Sequence, residues 1–132
     1  MKRSIVTIDD KALLLTIPQD GLRRSFEIVD SDKAGRLING NMQRDIIGTY
    51  YNYSIDFKTD NLTRAEYDEF YEIISAPVDS HTLTVPYGQN TLTFQAYITS
   101  GEDVLNKIDA DGNKWSGITI KFIASSPARR PI

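Results

Sequence analysis

One stretch of the chain repeats its apolar residues with a helical period, and almost everything else alternates or breaks at turns. In Asn61 to Pro77 (NLTRAEYDEFYEIISAP), Tyr67, Phe70, Tyr71 and Ile74 recur at i, i+3, i+4 and i+7. Asp68, Glu69 and Glu72 fall off that face. Thr63 is a good N-cap, Glu66 three residues later completes a capping box, and Leu62 with Tyr67 forms a hydrophobic staple. Pro77 biases Ala76 out of the helical region. The pattern predicts a helix over about 63–75. A single amphipathic helix of about three turns cannot bury its face alone. A sheet must receive it.

The strands are legible from period-two alternation. Ser4 to Ile8 and Ala12 to Ile17 read as two short strands, with Asp9-Asp10-Lys11 closing a hairpin that lacks the usual glycine. Pro18, Asp20 and Gly21 form a turn before Arg24 to Val29, where Phe26 and Ile28 face one way. Gln43 to Lys58 is the longest strand region. Tyr51, Tyr53, Ile55 and Phe57 share one face, and Gly48 marks a bulge or bend. After the helix, His81 to Tyr87 and Thr91 to Thr99 read as a hairpin turning at Gly88-Gln89-Asn90, with Leu83, Val85 and Tyr87 on one strand and Leu92, Phe94, Ala96 and Ile98 on the other. Pro86 marks an edge or a strand end. Gly101 to Ile108 has no clear period, and 109–113 is a turn. Trp115 to Ala124 reads as one closing strand with Ile118, Ile120, Phe122 and Ala124 inward.

Two segments stand outside this pattern. Asp30 to Asn41 (DSDKAGRLINGN) is rich in turn residues yet carries Arg36, Leu37 and Ile38 between two glycines, as in a long loop or projecting hairpin. Long loops in compact domains are often functional. Ser125 to Ile132 (SSPARRPI) has two prolines, two arginines and no apolar period, as in an exposed arm. The sum is a mostly β (α+β) fold, a β-sandwich or partly closed barrel with one flanking helix. One β-rich domain spans 1–124, followed by the arm at 125–132.

Composition narrows the function classes. The 132 residues suffice for one domain with a core. A net charge of -3 argues against general nucleic-acid affinity, which needs a basic stripe. The absence of cysteine removes disulfides, thiolate catalysis and Cys-based zinc sites. No apolar run approaches the ~18 residues of a membrane span, and Asp9, Asp10 and Lys11 interrupt any signal-peptide pattern at the start.

Each catalytic constellation fails on inspection. The run Asp109-Ala110-Asp111-Gly112-Asn113 resembles a calcium loop, but with Asp109 first, the glycine is misplaced and the twelfth position is Ile120. A hairpin turn explains it better. The single histidine, His81, has no nucleophile placed by the sequence, and its expected role is a polar residue at a strand start. Asp68, Glu69 and Glu72 read as a solvated helix face. The Gly35–Gly40 loop lacks the phosphate-loop Lys-Ser/Thr. Tyr51, Tyr53 and Phe57 alternate in step with Ile55, which makes them core rather than a stacking surface for sugars or bases.

The order of motifs resembles a family of small tail proteins of long-tailed bacteriophages and prophages. The Asp/Gly-rich segment runs through Gly35-Arg36 and Gly40-Asn41-Met42-Gln43 into Arg44-Asp45 and a long strand. A helix opening Leu62-Thr63-Arg64-Ala65-Glu66 follows. Next comes a hairpin reading Leu-Thr-Val-Pro-Tyr and Thr-Phe-Gln-Ala-Tyr, then Trp-x-Gly-Ile-Thr-Ile-x-Phe at Trp115 to Phe122 and Ser-Pro-Ala-Arg-Arg-Pro. The resemblance implies a tail-tube-like scaffold in the virion tail, synthesised in the host cytoplasm. It implies partners that are further copies of the chain, in hexameric rings, and other tail proteins. It carries over no catalytic group, and spacing, charge and composition add the expectations of no cofactor or metal, no sequence-specific nucleic-acid binding and no membrane. Residues expected at subunit contacts are Arg36, Leu37, Ile38, Asn39, Arg129 and Arg130, because a monomer has little reason to bury the first group and guanidinium suits interface pairing. The alternative is a monomeric carbohydrate- or small-ligand-binding β-sandwich using the tyrosines. A small β-barrel enzyme ranks below both.

Overall fold

A computed structural model describes residues 6–11 and 13–132. The elements are β1 (Thr7–Ile8), β2 (Leu22–Asp30), β3 (Gly35–Arg36), β4 (Met42–Gln43), β5 (Ile46–Asp56), α1 (Arg64–Ile74), β6 (His81–Tyr87), β7 (Asn90–Tyr97), β8 (Val104–Asp109), β9 (Gly112–Ser116) and β10 (Thr119–Ala124). Among the described residues the fold is mostly β with one helix. Six strands form an antiparallel sheet in the order β1-β6-β7-β10-β5-β2, and two small hairpins, β3–β4 and β8–β9, stand apart from it.

The sheet curls. β6 and β5 are separated by two strands in the sheet order. Yet the Tyr53 hydroxyl donates to the Pro86 carbonyl at 2.9 Å, and the Tyr51 and Tyr87 rings meet edge-on at 5.1 Å. The concave face holds Tyr53, Ile55, Leu83, Val85, Ala96, Ile120 and Phe122, all buried. β5 alternates as expected, and Phe57, just past its end, continues the buried row. A register shift opposite Gly48 supplies the expected bulge.

α1 covers the concavity. Thr63 accepts from the Glu66 N–H at 3.1 Å, and the Glu66 carboxylate accepts from the Thr63 N–H at 2.9 Å, so two orphan donors are satisfied reciprocally. Tyr67, Phe70 and Ile74 are buried, with the Phe70 ring edge-on to Phe57 at 5.2 Å. Tyr71 departs from its expected place in the buried stripe. It lies at the rim, 39% exposed, because the stripe that meets the sheet is narrower than the full i+4 set. Leu62 is partly buried against the core.

Three other expectations are corrected. Leu13 to Ile17 is not a strand, and Ala12 lies outside the described residues, as do Ser4 and Ile5 of the first expected strand. Asp9 and Asp10 take positive φ (55° and 56°), turning the chain after β1, which pairs with β6 instead of with its neighbour. Leu13 and Leu15 still enter the core, and an isolated bridge joins Thr16 to Lys58. Trp115 to Ala124 is two strands, because Gly117 at φ 76° breaks it. β9 pairs with β8, and β10 enters the main sheet. The segment without a clear period thus contains β8, whose Val104 and Ile108 are exposed.

The N-terminal edge is pinned by a charged latch. The Asp9 carboxylate accepts from the Thr82 N–H at 2.9 Å and lies 2.7 Å from Nδ1 of the buried His81. Partial burial pushes the Asp9 carboxyl up, but the His81 hydrogen bond, the Thr82 N–H and the charges of His81 and Lys11 outweigh it, so its pKa is lowered.

Phe70→Ala is expected to lower unfolding free energy by about 3 kcal/mol or more, because it removes a large buried ring. Asp68→Ala, at an exposed position, should change it by less than about 0.5 kcal/mol. Urea titrations of both check this. A carboxyl with a lowered folded pKa stabilises above its unfolded pKa, near 3.9, and that contribution is lost as pH falls through the folded value. The stability gap between parent and Asp9→Ala should therefore hold from neutral pH to about 5 and shrink below about 4. Denaturation midpoints across that range measure it.

Candidate functional site

The residues expected at subunit contacts sit at one end of the molecule. β2 and β5 run on past the bulge into a neck that carries the β3–β4 hairpin. The Arg44 guanidinium clamps the Asp30 carboxylate with bonds of 2.8 to 3.2 Å, and the Ser31 N–H donates to the Asp45 carbonyl at 2.8 Å. The Ser31 hydroxyl also binds the Asp45 carboxylate. Beyond the neck, the Asn39 side chain accepts from the Asn41 N–H, and Arg36 donates to the Gly40 carbonyl. That local bonding shapes the tip but covers nothing. Leu37 is 49% exposed and Ile38 fully exposed.

The C-terminal arm returns to the same end. It is mostly exposed, as expected, but it is docked. The Thr49 N–H donates to the Arg129 carbonyl at 2.9 Å, and the Ala128 N–H donates to the Thr49 carbonyl at 2.9 Å. Gly48 permits this approach. A Cβ there would lie 2.4 Å from the Arg129 oxygen and 2.7 Å from the Pro127 Cβ. Arg129 to Ile132, together with Ile28, Ile46, Gly48 and Thr49, line a depression of about 340 Å³. The structure thus brings the bases of the two candidate segments together, although about ninety residues separate them in the chain.

Beside the arm lies a polar aromatic cluster that the sequence did not reveal. The Arg24 guanidinium sits 5.4 Å from the centre of the Tyr87 ring. The Tyr87 hydroxyl donates to the Tyr51 hydroxyl at 3.0 Å. That donated bond, together with Arg129 and Arg24, lowers the Tyr51 pKa against the opposing effect of burial, and the same bond raises that of Tyr87. Arg24, Tyr51, Tyr87 and Arg129 come from four separate segments, so no spacing rule could have grouped them. Tyr53 and Phe57 are core, as the alternation predicts, whereas Tyr51, expected with them, is only partly buried against the core.

Neither a scan of protein-family models nor a search of curated proteins returns a match for this chain.

The opposite end carries a groove of about 400 Å³ between α1 and β9, lined by Tyr67, Asp68, Tyr71, Glu72, Asp103 and Trp115. The Tyr67 hydroxyl donates to Asp103 Oδ2 at 2.7 Å. Burial first, and Asp103 second, push the Tyr67 pKa well above its usual value, so it remains a donor. The sequence named Asp68 and Glu72 as a solvated face, and the periodicity hid their proximity to Trp115. At 109–113 the carboxylate of Asp109 accepts from the Asp111 N–H and pairs with Arg64 and Lys107, which is turn and hairpin chemistry. Among the described residues no group of three or more His, Cys, Asp or Glu side chains could hold a metal ion, and no helix is long and apolar enough to cross a membrane.

Gly48→Ala is expected to displace the arm, because the new methyl group would occupy the position of backbone atoms. Tryptic cleavage after Arg129 should accelerate several-fold while the fold, followed by circular dichroism, persists. An unchanged cleavage rate would show that the arm does not depend on this contact.

Proposed function

We propose that the chain is a structural subunit of a bacteriophage or prophage tail that assembles with itself into rings, and with other tail proteins, without catalysis. The observation that carries the reading is the β3–β4 tip. Ile38 is fully exposed, with Leu37 and Met42 about half exposed, on a neck clamped by Arg44 and Asp30. A rigid support under exposed aliphatic side chains serves contact with another molecule better than it serves the monomer. β2 adds to this. It is a nine-residue edge strand whose Arg23 to Ile28 are exposed, including Phe26 at 68%. Such an edge offers backbone groups and apolar side chains to a neighbour. The curled sheet with one flanking helix is compatible with the tail-tube-like scaffold that the motif order implies. Rings require heterologous contacts that close, and the chain presents different chemistry at its two ends. Within this reading the virion tail is the site of action.

The alternative, a monomeric carbohydrate- or ligand-binding module, draws on the tyrosines. Tyr53 lies in the core, and of the tyrosines nearest to it Tyr51 and Tyr87 bond each other through their hydroxyls.

Native mass spectrometry of the full chain should show discrete ring-sized oligomers. Replacing Asp32–Gly40 by a two-residue turn, or removing residues 126–132, should leave circular dichroism unchanged and abolish those oligomers. Parent-like assembly by both deletions would move the interface to the sheet faces. A parent that stays monomeric and binds glycans on an array would support the alternative.

A further inference from the structure

The groove between α1 and β9 combines two exposed aromatic side chains with carboxylates. Tyr71 and Trp115, each more than a third exposed, line it, and aromatic rings are surfaces on which a planar cation stacks favourably. Asp68 and Glu72 offer carboxylates one helical turn apart. Among the described residues no cation pairs with either. The nearest basic residue on the helix, Arg64, is already held by Asp109 and the Asn113 carbonyl. At the other end of the molecule Arg130 is exposed and, among the described residues, pairs with no carboxylate.

These two features cannot meet within one molecule. The arm is fixed on Thr49, whereas the groove lies beyond the Asp56 end of β5, where Thr119 begins β10. Seven residue steps of strand separate Thr49 from Asp56, about 23 Å. The bridge from Arg129 to Thr49 is antiparallel, so the arm runs from Arg129 toward Ile46 and away from the groove. Arg130 is one residue step past Arg129, at most about 3.6 Å further along the chain.

We infer that the groove receives Arg130 of a second copy, with its guanidinium between Tyr71 and Trp115 and its N–H groups on Asp68 and Glu72. Ile132, fully exposed in the single chain, follows the arginine onto the partner surface. The contact joins one end of a copy to the other end of the next. It is heterologous and propagates as a closed ring or a stack. The inference rests on the self-assembly reading and gives it a specific contact.

Trp115 is the chain's single tryptophan, so its emission reports occupancy of the groove directly. A synthetic peptide of residues 125–132 titrated into the full chain should shift Trp115 fluorescence saturably. Arg130→Ala in the peptide, or Asp68→Asn with Glu72→Gln in the chain, should weaken binding tenfold or more. In the full chain, Arg130→Glu alone and Glu72→Arg alone should each lose assembly, and a one-to-one mixture should regain it through the swapped pair. Circular dichroism confirms that each variant folds. No fluorescence response, or binding indifferent to these changes, overturns the inference. If the parent assembles and Arg130→Glu assembles equally well, this contact is wrong while the assembly reading stands. A parent that is monomeric at every concentration, yet binds the peptide, overturns both the second copy as occupant and the assembly reading.

Discussion

The meeting of Phe57, Phe70 and Phe122 is the contact on which the rest of the structure depends. Phe57 lies edge-on to both other rings, at 5.2 Å from Phe70 and 6.4 Å from Phe122. One ring comes from the end of β5, one from α1 and one from β10. A sheet six strands wide twists of its own accord, but its concave apolar face needs something to fill it, and a short helix needs something to receive its apolar stripe. The aromatic contact meets both needs at once. Edge-to-face pairs of this kind add about 0.5–1.5 kcal/mol beyond their area burial, and they fix orientation as well as proximity.

Curling gives the molecule two unlike ends. At one end the strands converge on hydroxyls and guanidinium groups, with Tyr53 reaching Pro86 and Arg24 lying over Tyr87. At that end β2 and β5 also outrun the sheet to carry the β3–β4 hairpin, and the arm folds back onto Gly48. At the other end α1 and the β8–β9 hairpin bring carboxylates beside Trp115. Exposed aliphatic side chains and Arg130, unpaired among the described residues, lie at the first end, and the carboxylates of Asp68 and Glu72 lie beside Trp115 at the second. The proposed head-to-tail contact uses this difference between the two ends, whereas a symmetric dimer would require each patch to complement itself.

The two projecting pieces are rooted in different ways. Bidentate Arg44–Asp30 contacts and a second bonded pair, Ser31 with Asp45, stiffen the neck of the hairpin. The arm is held by backbone bonds to Thr49 and by the lack of a side chain at Gly48. Proline at 127 and 131 removes two donors from the arm, so it forms one bridge and not a ladder. Its last residues remain available.

Local pattern by itself determined much of this protein. The capping box at Thr63 and Glu66, the buried set Tyr67, Phe70 and Ile74, the alternation through β5 and the β6–β7 hairpin all follow from interactions between residues close in the chain. The projecting hairpin and the arm were legible too, from turn chemistry and proline. Only the tertiary structure decided what Leu13 and Leu15 do, since a nearly continuous apolar run reads alike as a strand or as an extended plug, and the left-handed turn at Asp9 and Asp10 settles it. Only the tertiary structure split Trp115 to Ala124 at Gly117, where a positive φ interrupts an alternation that looks unbroken in sequence. The Arg24–Tyr51–Tyr87–Arg129 cluster was invisible because its members lie in four separate segments, which the curled sheet brings together. The groove was invisible because only the β8–β9 hairpin, apart from the main sheet, sets Trp115 beside Asp68 and Glu72 of α1.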